Sequence, residues 1–373
     1  MGVYKKAGTI LQHSKMTKKT SFHYKWFLKD AVFTKDKGKV FSCFACGGGS
    51  TMGYKLAGFD VLGCNEIDPK VIEAYKVNHN PRYVYLESIR TFKLRNDLPD
   101  ELFNLDILDG SPPCSSFSVS GKREKYWGKE KKFREGQERQ ILDTLFFDFI
   151  DLAKKLQPKV VIAENVKGLL LGNSKKYVRQ IYREFDLAGY YCQHWLLDAS
   201  KMGVPQRRER VFFIALRKDL ADSFMERIDL FTFAPKLKLK FNEPEILFEN
   251  IKTNEIDCPL TIRDLAIWKS KIKGEKSYSD TLKRTENRES NWNSKFIYNN
   301  KVCNTITSCK GSKLISFSEP RYLNNHELKL IGSFPIDYNF CSNNVKYLIG
   351  MSVPPVMIAQ IASQIYEQWL SNL

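Results

Sequence analysis

From Lys39 onward the chain alternates short apolar runs with amphipathic stretches. "KVFSC" is followed by three glycines at 47 to 49, an amphipathic segment, and a second apolar run at Asp60 to Gly63 that ends in Asn65 and Glu66. That order predicts strand, glycine turn, helix and strand, a βαβ opening. Further on, "LDILDGSPP" reads as a short buried strand and turn, and "QILDTLFFDFIDLAKKLQP" as a helix stopped before Pro158. "KVVIAENV" reads as a buried strand, "YVRQIYREFDLAGY" as a helix closed near Gly189, and "CQHWLLDA" and "RVFFIALR" as two more strands. Such alternation over roughly 180 residues predicts an α/β fold with a doubly wound, mostly parallel sheet, its functional residues just beyond the carboxyl ends of the strands.

Beyond Arg217 the texture changes to lysine-rich, weakly periodic sequence without regular βα alternation, which predicts a second, smaller domain. The interval from Trp268 to Asn300 mixes Lys, Arg, Asn, Ser, Trp and Tyr, a composition that suits phosphate and base contacts and equally an exposed loop. A final amphipathic helix, apolar at Val356, Ile358, Ile361, Ile365 and Trp369, is expected to pack back on the first domain. The expected division is 16–217 for the first domain, 218–335 for the second and 336–373 for the returning segment.

With 373 residues, 43% of them hydrophobic, the chain can bury a sizeable core. Formal charge is +17, which favours a polyanionic partner. "YKKAGT" at Tyr4 to Thr9 looks like the scar of a recombination-cloning site, so residues 1–15 are expected to be a leader and Met16 the native start; losing Lys5, Lys6 and Lys15 leaves the basic excess in place. Nine cysteines, odd in number and scattered, fit a reducing, intracellular setting. The apolar runs at Leu145 to Ile150 and Val211 to Leu216 fall short of a membrane span.

Three short motifs carry candidate chemistry. Cys114 follows Pro112 and Pro113, whose locked φ angles restrict the direction from which a thiolate approaches an electron-poor carbon. "AENV" ends a buried strand with Glu164, a carboxylate that must meet a polar pocket or a proton donor because a bare charge there is costly. "PQRRERVFFIAL" delivers Arg207, Arg208 and Arg210 at the start of a strand, where alternation sends Arg208 and Arg210 to one face. Cysteine, glutamate and an arginine pair suit attack on a pyrimidine ring, although each alone is more often structural. The glycine turn followed by Glu66 suits an adenine-ribose cofactor, with Glu66 accepting from ribose hydroxyls, but "FACGGGS" is neither GxGxxG nor a P-loop. Cys43 and Cys46 form a CxxC without a second pair, and the five histidines lack ligand spacing, so no metal is expected.

The ordered set "FACGGG", "NEID", "DGSPPC", "AENV", "PQRRERVFFIAL", "NTIT", "RYLNNHELKLIGSFP" and "YLIGMSVPP" resembles the cytosine-C5 DNA methyltransferases of bacterial restriction-modification systems, over almost all of residues 39–373. The resemblance implies a Rossmann-like catalytic domain with an inserted target-recognition domain, S-adenosylmethionine as cofactor and double-stranded DNA as partner. It further implies a monomeric cytoplasmic enzyme, bound to the nucleoid through DNA, that works beside a cognate restriction endonuclease or as an orphan methylase. In that family Cys114 would attack C6 of a flipped-out cytosine, Glu164 would hold the N3 and amino edge, and Arg210 with Arg208 would engage the O2 side. Ser111, Pro113, Ser118, Asn165 and Gln206 would contact or shape the substrate side. Phe44, Gly48, Gly49, Glu66, Ile67, Ser88, Pro112 and Ser352 would form the cofactor site.

Four positions depart from the family pattern: Ser42 and Ser88 stand where an acid is usual, Cys46 where a glycine is, and Met351 where an asparagine is. All four belong to the expected cofactor side. An RNA cytosine methyltransferase keeps the same chemistry, and charge does not separate the two nucleic acids. A DNA-binding module that has lost catalysis would be expected to carry damage at Cys114, Glu164 or Arg210, and all three residues are present. A nicotinamide dehydrogenase shares only the fold class.

Overall fold

The computed structural model describes residues 22–113, 144–171, 175–227, 233–254, 258–288, 294–309 and 311–373. In chain order, β1 (Lys39–Cys43) leads into α1 (Gly49–Leu56), β2 (Asp60–Glu66), α2 (Pro69–His79), β3 (Tyr83–Leu86), the one-turn α3 (Ile89–Phe92) and β4 (Ile107–Gly110). Then follow α4 (Leu145–Leu156), β5 (Val160–Val166), α5 (Lys175–Leu187), β6 (Tyr190–Asp198), the two-residue β7 (Gln206–Arg207) and β8 (Glu209–Arg217). Seven of these strands form one sheet in the order β3-β2-β1-β4-β5-β8-β6. The first five are parallel, and β8 runs antiparallel to both β5 and β6.

Local chemistry sets the element ends. Asp68 caps α2 by accepting from the Lys70 and Val71 amides, with Pro69 in the first turn. α4 stops at Leu156 because Gln157 turns left-handed, at φ 49°, and Pro158 follows. The central strands are buried on both faces, so alternate residues feed two cores. Phe41, Leu108, Val161 and Phe213 pack against α3, α4 and α5. Val40, Ile107, Ile162 and Phe212 face the opposite layer, which holds Tyr54 of α1 and the last long helix.

The remaining chain adds β9 (Met225–Arg227), β10 (Phe233–Pro235), α6 (Ile262–Lys269), α7 (Tyr278–Glu286), β11 (Lys295–Ile297), β12 (Cys303–Asn304), β13 (Leu314–Ser316), α8 (Asn325–Ile331), α9 (Val345–Met351) and α10 (Pro355–Gln368). Ile267, Tyr278, Leu282, Phe296 and Ile315 form a small core of their own. β12 pairs in parallel with β7, Cys303 opposite Gln206, and so ties the returning chain to the start of β8.

On α10, Val356, Ile358, Ile361 and Ile365 are buried with Trp369 in the same core as Tyr54 of α1. Each such side chain contributes about 2 kcal/mol by leaving water. By length and composition alone the stretch Val345–Asn372 is apolar enough to cross a membrane, but it is broken between Met351 and Pro355 and is mostly buried in the fold, as a core helix is.

Candidate active site

A cleft opens at the carboxyl ends of β1, β2 and β4. Its wall includes Phe44 and Cys46 after β1, Glu66 and Ile67 at the end of β2, Ser88 after β3, and Ser111 and Pro113 after β4. Tyr347 and Met351 close it from α9, one helical turn apart.

The loop after β1 is held from behind. Gly48 has φ +83°, and a Cβ there would lie 2.0 Å from Nε2 of His79, so only glycine fits. The Tyr338 hydroxyl donates to the Gly47 carbonyl, and His79 Nε2 donates to that hydroxyl at 2.9 Å. Burial drives the His79 imidazole well below its usual range, so it stays neutral. Glu66 joins this loop to the next: Oε2 accepts from the Cys46 amide at 2.8 Å, and Oε1 from those of Ile67 and Asp68 at 2.8 and 3.0 Å. Burial pushes its carboxyl up, and these three donors oppose the shift.

Of the four unusual positions, Cys46, Ser88 and Met351 line the cleft and Ser42 does not. Cys46 takes φ 49°, a left-handed conformation that favours glycine. Burial, with the nearby Glu66 carboxylate, pushes its thiol up to about 12. Ser88 caps α3 by accepting from the Arg90 amide. Ser42 is buried and donates to Asp109 Oδ2 at 2.7 Å.

Glu164 and Arg210 meet on neighbouring strands. In the β5–β8 ladder Glu164 stands opposite Phe212 and Val166 opposite Arg210, which puts the two charged side chains on one face. Arg210 Nε lies 2.9 Å from Glu164 Oε1, and both side chains are mostly buried. Asn165, on the other face of β5, sends Nδ2 to the Pro112 carbonyl at 3.2 Å. Cys114 and Ser118 lie outside the described residues.

The structure does not bring every expected residue to the cleft wall. Gln206 is fully buried: Nε2 donates to the Ile331 carbonyl and Oε1 accepts from the Ile306 amide, so its side chain is engaged with the returning chain rather than exposed in the cleft wall. Arg208 is not a second free arginine beside Arg210. Its guanidinium donates to the carbonyls of Ile306, Gly350 and Ser352 at 3.1, 3.1 and 2.8 Å. Arg208 stands one residue ahead of β8, and these three carbonyls draw its guanidinium inward although the charges of Arg210 and Glu164 lie near enough to act on it. Gly48, Gly49, Pro112 and Ser352 shape the wall from behind rather than line it; Ser352 Oγ donates to the Leu348 carbonyl. Sequence reading missed Tyr347, whose signal is its i, i+4 spacing from Met351, and Asp109, a charge in an otherwise apolar strand.

The wall fits an adenosine-type cofactor: an aromatic ring, the apolar side chains of Ile67, Val71, Ile89 and Leu145, and a buried carboxylate with hydrogen-bonding capacity left on Oε2. A second groove is lined by Arg207, Lys276, Lys295, Tyr298 and Lys301, together with Glu245, which pairs with Lys201 at 2.9 Å.

The family model for the C-5 cytosine-specific DNA methylase matches residues 38–367. Type II methyltransferase M.NgoFVII of Neisseria gonorrhoeae is 30% identical over 356 residues, 91% of this chain and 89% of that protein. Type II methyltransferase M.FnuDI of Fusobacterium nucleatum is 36% identical over 191 residues, and the match spans about half the length of each chain. Among solved structures, a mutant of Spodoptera frugiperda DNMT2 superposes with a TM-score of 0.58 at 19% identity, over 87% of this chain and 98% of that one. S. pombe Dnmt2 methyltransferase superposes with a TM-score of 0.56 at 15% identity, over 88% and 98%. At these identities the structural likeness is one of fold.

Proposed function

Because the chain belongs to the C-5 cytosine-specific DNA methylase family, we propose that it methylates C5 of a cytosine flipped out of a short specific sequence in double-stranded DNA. The observation that carries this reading is the Glu164–Arg210 pair beside the Ser111–Pro113 loop, immediately ahead of Cys114 in the chain. The basic groove lined by Arg207, Lys276, Lys295 and Lys301 supports a polyanionic substrate. In this reading the target is recognised within residues 218–335, and the enzyme serves a bacterial restriction-modification system with a cognate endonuclease.

S-adenosylmethionine, when bound, supplies an electrophilic methyl group on a sulfonium; Phe44, Glu66, Ile67 and Ser88 would hold it. Cys114 acts first. Its thiolate adds to C6 of the cytosine, and the electron pair of the C5–C6 double bond moves to C5 and into the ring. Glu164 holds N3 and the exocyclic amine and keeps a proton at N3, which stabilises that charge. Arg210 holds O2 and, through Glu164, the orientation of the carboxylate. Pro112 and Pro113 fix the approach of the nucleophile, with Asn165 beneath them. Once C5 is substituted, loss of its proton returns electrons to the ring and expels Cys114 as thiolate, giving 5-methylcytosine.

The test is base-resolution mapping of 5-methylcytosine in DNA from otherwise unmethylated cells that express either the intact protein or Cys114→Ala. Methylation confined to one short motif and absent with the variant is the expected result. Methylation undiminished by Cys114→Ala would remove the nucleophile. Unmethylated DNA together with methylated RNA would replace the substrate.

A further inference from the structure

Asp109 is a buried carboxylate with no assigned task. It sits on β4 in the layer of Val40, Ile107 and Ile162, and no cation pairs with it among the described residues. Three hydroxyls donate to it: Ser42 and Ser50 to Oδ2 at 2.7 and 2.8 Å, and Tyr54 to Oδ1 at 3.0 Å. All four side chains are buried.

The positions of the donors matter more than their number. Ser42 lies just before the Phe44–Gly48 loop and Ser50 just after it, so one oxygen of Asp109 holds both ends of the loop that lines the cleft. Asp109 in turn is one residue from the end of β4, where the chain enters Ser111 to Pro113 on the opposite wall. Ser50 and Tyr54 lie on the first two turns of α1, whose amino-terminal dipole favours an anion.

We propose that Asp109 is a positioning residue that sets the distance between the two loops of the site, the one lining the cofactor cleft and the one leading to Cys114. The proposal rests on the methyltransferase reading above. A carboxylate serves this task better than a neutral acceptor because both its oxygens accept, and each hydrogen bond to a charged acceptor is stronger and more directional. The site depends on this geometry: transfer requires the two reacting partners, one on each loop, to approach closely, and misplacement by about 1 Å costs on the order of a hundredfold in rate.

Asp109→Asn keeps the shape and one acceptor oxygen. It is expected to lower kcat about tenfold or more, to raise KM for S-adenosylmethionine less than kcat falls, and to speed amide hydrogen exchange in 44–51 and 110–113 in the cofactor-free protein. Ser42 and Asp109 are register partners of β1 and β4 on one face, so the exchange Ser42→Asp/Asp109→Ser returns a carboxylate to the same niche. That double variant is expected to recover exchange protection and part of kcat. Wild-type kcat and unchanged exchange in Asp109→Asn would overturn the proposal. So would a variant that only melts earlier while its folded fraction keeps normal kinetics, or a double variant no better than the single one. An intact chain with no methyl transfer removes the reading and the proposal together, and that failure is seen in the unmutated protein.

Discussion

Asn165 and Pro112 are joined across neighbouring strands, the amide of one donating to the carbonyl of the other at 3.2 Å. The same side chain accepts from the Val166 amide at 2.9 Å, so it is locked from both ends. Asn165→Ala leaves a buried proline carbonyl without its donor and is expected to destabilise the protein by about 1–3 kcal/mol. Loss of activity should exceed what that destabilisation explains, since the loop ahead of Cys114 is released. Urea unfolding and kcat measured on the same preparation separate the two effects.

The two arginines of the 208–210 stretch should fail differently. Arg208→Met strands three buried carbonyls and should cost about 3 kcal/mol or more, seen as a lower melting temperature and poor recovery of soluble protein. Arg210→Met strands the Glu164 carboxylate and the Glu209 carbonyl and should also cost about 3 kcal/mol, but its folded fraction in addition lacks the group proposed to hold the cytosine O2. It should lose turnover almost entirely. Melting curves paired with single-turnover methylation decide this; an Arg208→Met protein as stable as wild type would contradict the clamp.

Asp109 links stability to pH. Burial, with the Glu164 carboxylate adding to it, pushes its carboxyl up to about 6, against the three hydroxyl donors. Cys43 and Tyr54 are the other titratable groups whose own thiol and phenol its charge raises. A carboxyl raised in the folded state favours folding while protonated, and that advantage fades as pH climbs from about 4 to about 6. Relative to wild type, Asp109→Asn should therefore gain about 2 kcal/mol in stability between pH 4 and pH 7. Denaturant unfolding at the two pH values measures it, and a constant difference would refute the shifted carboxyl.

Cys46 lines an open cleft, yet its thiol is pushed up to about 12 by burial and Glu66. Only the thiolate alkylates readily. Iodoacetamide at pH 8 should modify exposed Cys309 and Cys341 well before Cys46, as peptide mass spectrometry would show. Rapid labelling of Cys46 in the folded protein would contradict its protonated state.

Most of the sheet is written in the apolar pattern. β1, β2, β4, β5 and β8 each carry enough Val, Ile, Leu or Phe to be read directly, because buried strands need both faces apolar, while β6, at the sheet edge, is read from its aromatic and leucine residues. β3 is harder to read for a physical reason: "YVYL" is an edge strand of four residues, partly exposed along its length, too short a run to be told from a loop by pattern alone. β7 could not be read at all, since its two residues become a strand only by pairing with Cys303 and Asn304. The interior partners of Gln206 and Arg208 are illegible for the same reason. They lie 98 to 144 residues away, beyond any local pattern. Glu164 and Arg210 were legible because the spacing of two long adjacent strands fixes which side chains share a face.

The wall contributed by α9 has a consequence for the order in which the protein is made. Tyr347 and Met351 complete the cleft, and Gly350 lies so close to Thr307 that a Cβ would meet its backbone at 2.5 Å. Phe44 and Glu66, by contrast, leave the ribosome early. For roughly 280 residues of synthesis the nascent chain carries half of the cleft wall, and the cleft stays open until α9 arrives. Such late closure over long sequence separations is slow to form, and it makes the methyl-transfer site a property of the finished chain alone.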